Sequence, residues 1–321
     1  MQALAQFVMQ GRGRAVAVVA IAAGLSIKLP LLGILAGSAP ALFLFSLAGM
    51  ALNLASGAAV ALVTLRNGPV EGLRVLGWSL LAMAVVGMAA GPGDALSLPL
   101  SVLQWLPVLL VALVLRETGS LLLSLVTAFG LGFLAVIGVY AVVGDVAGQL
   151  MESMRQGLEN VPPDRLPDDP QRIKEAWTAF SHFFTGPLVG LVVAGWVLVL
   201  LLARSWQAAL YNPGGSRAEF IALRMPAWMA YLGLALLAFA WLQKGWAGEV
   251  AWNLLILLSL LFLLAGLAVL HGMLAGSGSR RLLLTGVYLA LVLLFPHAPI
   301  WVGLLGFSDV WLDWRGRRRA R

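Results

Sequence analysis

No cysteine occurs in this chain, and charged residues occupy only 11% of its 321 positions. The first absence excludes disulfides, thiolate nucleophiles and Cys-ligated zinc or iron–sulfur centres. The second excludes a water-soluble domain, in which about a quarter of residues carry charge. A bilayer demands such scarcity, because one charge at mid-membrane costs roughly 2.5–3.5 kcal/mol on insertion scales. Period-2 alternation is missing as well. Residues 188–202 are apolar throughout, so the spans are helices and not the alternating strands of a β-barrel. Catalytic signatures are also missing. His182, His271 and His297 are scattered, with no H-E-x-x-H or other metal spacing, and no G-x-S-x-G nucleophile turn occurs. There is no G-x-x-x-x-G-K-[ST] phosphate loop, and Gly11-Arg12-Gly13 is too short to hold a dinucleotide. No cofactor, metal or enzymatic activity is expected, and an ATP-driven step would need an ATPase on another polypeptide.

What the chain has is apolar length. Hydrophobic residues make up 61% of it, in nine blocks at 15–36, 39–65, 75–91, 97–115, 119–143, 184–203, 226–243, 250–270 and 282–311. About 20 apolar residues cross a bilayer as a helix, which predicts an all-α polytopic membrane protein of about 8–10 transmembrane helices in a single domain, 1–321. The first block follows Arg12 and Arg14 but runs on through Lys28-Leu29-Pro30, so it reads as an uncleaved span and not a signal peptide. Loop charge sets orientation. With the N-terminus in the cytoplasm, internal connections carry Arg66 and Arg74, then Arg116, then Arg204, Arg217 and Arg224, then Arg280 and Arg281. External ones carry Asp94, an acidic stretch at 143–183 with seven acids against four bases, and Lys244 with Glu249.

The last block breaks this order. Nine crossings would leave Arg315, Arg317, Arg318, Arg319 and Arg321 outside, against the positive-inside rule. Prolines at 296 and 299 interrupt the block, each removing a helix hydrogen bond. The block is therefore expected to turn back there, leaving 315–321 as a basic cytoplasmic tail on anionic lipid. Nucleic acid is not an expected partner.

Two connections have structure of their own. In the 145–183 insertion, Val146, Leu150, Met154 and Leu158 make one helical stripe. After the turn-rich 161–167 linker, Asp168 or Asp169 caps a second helix that starts near Pro170 and presents Ile173, Trp177, Phe180 and Phe184. Such helices lie on the membrane surface or form a lid, with Trp177 and His182 facing inward. On the opposite side, the turns around Asn67 and around Asn212 and Gly214 each lead into a Glu- and Arg-bearing segment. Ser216 and Glu219 have capping-box spacing, and Arg217, Glu219 and Arg224 offer a docking surface for a cytoplasmic protein.

Polar residues stranded in apolar blocks mark candidate ligand-binding positions. These are Lys28, Asn53 and Asp309, with Asp309 and Asp313 the available counter-charges for Lys28 and Arg317 the neighbour of Asp313. Small-residue stripes through Gly49 and Gly57, and through Gly186 and Gly190, allow close helix packing or the seating of another membrane subunit.

The segments 211–215 with Glu219-Phe220 and Leu223-Arg224, the 62–72 turn, and the closing Gly306-Phe307-Ser308-Asp309-Val310-Trp311-Leu312-Asp313-Trp314-Arg315 resemble the YybS-type family of uncharacterised bacterial inner-membrane proteins, over most of the chain. That family is distantly similar in fold to the S components of energy-coupling-factor transporters and to MreD-like membrane proteins. The resemblance implies a bacterial inner-membrane location and six core helices around a ligand pocket, with a partner on the small-residue faces. The acidic insertion and the additional spans depart from that pattern. The function expected is a ligand-binding or transport subunit without its own energy source. The alternative is a scaffold in envelope assembly.

Overall fold

The computed structural model describes residues 2–90, 97–159 and 170–319. Asp94, the 161–167 linker, the expected caps Asp168 and Asp169, and Arg321 lie outside them. The described residues form fifteen helices and no strand: α1 (Gln2–Met9), α2 (Arg12–Leu35), α3 (Ala39–Asn67), α4 (Pro69–Ala90), α5 (Ser97–Thr118), α6 (Leu121–Val143), α7 (Val146–Glu159), α8 (Pro170–Ser181), α9 (Thr185–Tyr211), α10 (Gly215–Ile221), α11 (Ala227–Leu242), α12 (Trp246–Met273), α13 (Arg280–Leu293), α14 (His297–Leu312) and α15 (Trp314–Arg319). Seven of them (α2, α3, α4, α5, α6, α9 and α12) are long and apolar enough to cross a membrane. This is an all-α, multi-pass membrane protein.

Each of the nine apolar blocks is helical, but two fall short of a full crossing. α11 has 16 residues. The ninth block breaks at Phe295-Pro296 into α13, with 14 residues, and α14, with 16. At about 1.5 Å per residue these helices reach roughly 21–24 Å, against a hydrocarbon core of about 30 Å.

The chain divides into two compact units. Unit 1 comprises Met1–Ala128 and Val192–Ala222. Its centre is α3, buried continuously from Ser56 to Leu65. α2 packs on α3 through glycine: a β-carbon on Gly33 would come to 2.7 Å from Leu42 Cα, and one on Gly49 to 2.7 Å from Ser26 O. Ser26 is four residues before Pro30, so its carbonyl has no helical donor, and the bare Gly49 fits against it. α5 hydrogen-bonds α3 through Trp105 Nε1 to Ser56 Oγ (3.2 Å) and Gln104 Nε2 to Asn53 O (3.0 Å).

Unit 2 comprises Phe129–Leu191 and Leu223–Arg321. α12 is its centre, and α14 packs on it with the two backbones in contact. A β-carbon on Gly266 would strike Val302 O, and one on Gly306 would strike Phe262 O and Gly266 N. Gly303 lies against Ser259 and Leu263, and Gly306 against Phe262 and Gly266. Three residues forward in α14 is thus three forward in α12, and the two helices run parallel. The ninth block has therefore doubled back at its proline break, as its sequence predicts. α14 ends beside the start of α11, where Arg224 pairs with Asp313 at 2.8 Å.

Candidate functional site

A polar cluster in unit 2 centres on Asn253, in the second turn of α12 and fully buried. Its Nδ2 reaches Tyr140 Oη of α6 (3.0 Å), His182 O (3.0 Å) and Glu249 O (2.8 Å), sharing two N–H bonds among three acceptors. Its Oδ1 accepts from Gly186 N at 2.5 Å, at the start of α9. That bond satisfies an amide that the first turn of a helix leaves without a partner, and it fixes which way the Asn253 amide faces. Gly186 is needed for the approach, because a β-carbon there would come to 2.8 Å from Asn253 O. One side chain thus joins α6, the α8–α9 turn and α12.

Above Asn253, His182 Nδ1 lies 2.8 Å from Glu249 Oε1. The His182 side chain is 45% exposed and that of Glu249 19%, so the pair is partly exposed above a buried amide. The buried hydroxyls of Thr185 and Tyr140 add polar atoms, and Phe183 stands edge-on to Trp252 at 6.0 Å. Chemically the cluster brings together one carboxylate, one imidazole and two buried hydroxyls around the Asn253 amide. As a metal site it offers only His182 and Glu249; among the described residues no group of three His, Asp or Glu side chains gathers.

Of the sequence candidates, His182 belongs to this site and Gly186 supports it. Trp177 lies at the α7–α8 contact, its Nε1 pointing to Leu150 O at 3.4 Å, so the two amphipathic helices pack on each other. Gly190 faces Leu260 of α12, 2.7 Å from a would-be β-carbon. Glu249 and Asn253 are missed by the sequence reading. Their signal is an i, i+4 polar pair on one face of an apolar helix, the criterion that picks out Asp309 and Asp313.

Asp309 is buried but engaged. Its Oδ2 takes Arg315 Nη2 at 2.6 Å, with both side chains 7% exposed, and its Oδ1 accepts from Trp314 N at 2.9 Å. Asp309 therefore caps α15 and anchors the start of the basic tail. Asp313 pairs with Arg224 instead of Arg317, and that hydrogen bond holds its carboxyl below the usual range.

In unit 1, Lys28 is half-buried on α2, and the Asn53 side chain is exposed on α3. Gly57 lies against Val199 and Gln104, so its small face, like that of Gly49, is filled from inside the unit. Asn67 ends α3, and Asn212, Gly214 and Arg217 are exposed at the α9–α10 turn. The expected capping box is not formed. α10 starts at Gly215 with Gly214 as its N-cap, which leaves Ser216 inside the helix, and Glu219 binds Arg204. No protein-family model, curated protein or solved structure matches this chain.

Proposed function

We propose that the protein is a ligand-binding or transport subunit of a bacterial inner membrane, drawing its energy from another polypeptide. The observation that carries this is the Asn253 cluster. A buried amide in a membrane helix, topped by a partly exposed His182–Glu249 pair, is costly to place there and is a functional position by default. The YybS-type resemblance supports the same class. Placing the arginine-bearing turns in the cytoplasm puts the Asn253 cluster and α7–α8 at the outer face and the 315–321 tail on inner-leaflet anionic lipid.

The test is a thermal-shift screen of the full chain in mild detergent against amino acids, nucleosides and water-soluble vitamins. At least one compound is expected to raise the melting temperature of the wild type and not of Glu249→Gln or Asn253→Ala. A panel that shifts all three proteins equally would overturn the site. A second reading, an envelope-assembly scaffold, has its own support. The core of unit 1 is Ala, Val and Leu from Ala58 to Val63. Co-purification with envelope-synthesis proteins and no ATPase would favour it.

A further inference from the structure

We propose that Arg66 and Arg116 of unit 1 form a fixed binding position for the phosphate of an anionic lipid headgroup. One end of unit 1 gathers the start of α2, the α3–α4 turn, the ends of α5 and α9, and α10, and it carries seven arginines held in different ways. Glu71 takes Arg12 at 2.6 Å and Arg74 at 2.7 Å, and Glu219 takes Arg204. Those three cations share two carboxylates inside the protein, Arg14 lies 5.3 Å from the Phe7 ring centroid, and Arg217 is exposed on α10.

Arg66 and Arg116 are oriented by uncharged groups, with only a long 3.7 Å ion pair from Arg116 to the exposed Glu117. The Arg66 guanidinium lies 4.3 Å from the centroid of the Tyr211 ring, a face-on contact that leaves its edge N–H donors unused. Arg116 is fixed through Nη1 to Leu65 O at 2.8 Å, and its Nε comes no nearer than 3.7 Å to the exposed Glu117. The Arg116 guanidinium also sits over the buried Gly68, 3.7–3.9 Å from where a β-carbon would stand. Leu65 and Gly68 bracket Arg66 in the chain, so the Arg116 guanidinium lies against the same α3–α4 turn from which Arg66 extends. An aromatic face and a backbone carbonyl orient them, and neither guanidinium has a carboxylate within hydrogen-bond distance among the described residues. A planar fork held this way meets phosphate oxygens in bidentate fashion.

The location selects the source of the phosphate. Arg66 is in the last turn of α3 and Arg116 in the last turn of α5, both membrane-spanning helices. The half-exposed Tyr211 beside them has the amphipathic character of headgroup depth. A lipid phosphate is already confined to that plane.

The test is native mass spectrometry of the full chain released from nanodiscs of equal phosphatidylglycerol and phosphatidylcholine. Arg66→Gln/Arg116→Gln is compared with Arg12→Gln/Arg74→Gln, which removes equal charge from the same end. Wild type is expected to retain phosphatidylglycerol preferentially. The first pair should lower that preference on the order of ten-fold, the second less than about two-fold. Tyr211→Leu, which keeps every charge and only frees Arg66, should also lower it and stands in if the first pair fails to fold. Equal losses from both pairs, or no effect of Tyr211→Leu, would reduce the position to diffuse basic charge. Displacement of the lipid by millimolar inorganic phosphate would overturn the lipid as its occupant.

Discussion

Pro107 has no N–H to offer the Leu103 carbonyl four residues earlier in α5, and Trp196 supplies the missing donor from α9, Nε1 to O at 3.1 Å. The two residues solve one problem jointly: an apolar span cannot leave a backbone carbonyl bare. Trp196→Phe should therefore destabilise the protein by about 1 kcal/mol, within the range of hydrogen bonds measured in membranes. Pro107→Ala should recover most of that loss, because it restores the internal bond. A double-mutant cycle of unfolding in detergent checks this, and strictly additive losses would break the link between the two residues. A second prediction at this scale concerns Glu152. Arg155 first, then Gln156, hydrogen-bond its carboxylate and hold it down at about 2. A depressed carboxyl contributes stability above its ordinary value of about 4.3 and loses it as pH falls through the lower native value. Hydrogen exchange in α7, corrected for its intrinsic pH dependence, should thus be steady from pH 8 to 5 and accelerate only below about 4. In Glu152→Gln the acid-induced acceleration should disappear.

At the scale of elements, the α12–α14 contact depends on glycines that allow two backbones to touch. Gly306→Ala would press a methyl group against Phe262 O and Gly266 N, and overpacking of this kind costs about 1–3 kcal/mol. Gly233→Ala is the control, since its nearest neighbours, Leu258 and Phe262, stand at 3.4 and 3.9 Å and should tolerate it. Unfolding midpoints of the two variants should differ accordingly, and equal midpoints would remove the glycine account. The sequence makes some of this legible. Block length and proline position predict the helices, the break at Pro296 and the amphipathic α7–α8 pair, because these depend on nearest neighbours along the chain. The Asn253 cluster is less legible. His182 stands out as a polar residue near a helix start, but its partner Glu249 lies 67 residues away, and spacing carries no record of such a pairing. Asp309 is similar: its apolar surroundings mark it, yet only the α14–α15 turn shows that Arg315 already neutralises it.

At the scale of the whole molecule, the question is on which side of the membrane each connection lies. The positive-inside rule weighs short loops near span ends, and the arginine-bearing connections of this chain alternate with acidic or balanced ones. The parallel run of α14 and α12 adds a geometric constraint within unit 2. If α12 carries the chain from outside to inside, α14 ends on the inner side as well, and the Arg224–Asp313 pair draws the tail to the start of α11. The absence of native cysteine makes this directly measurable, because any introduced thiol is the only one present. Glu175→Cys on α8 should react with a membrane-impermeant maleimide in intact cells. Ser277→Cys, between α12 and α13, and a cysteine added after Arg321 should react only after permeabilisation. Labelling of the C-terminal cysteine from outside, with Ser277→Cys still protected, would mean that the ninth block crosses completely in the membrane and does not fold back.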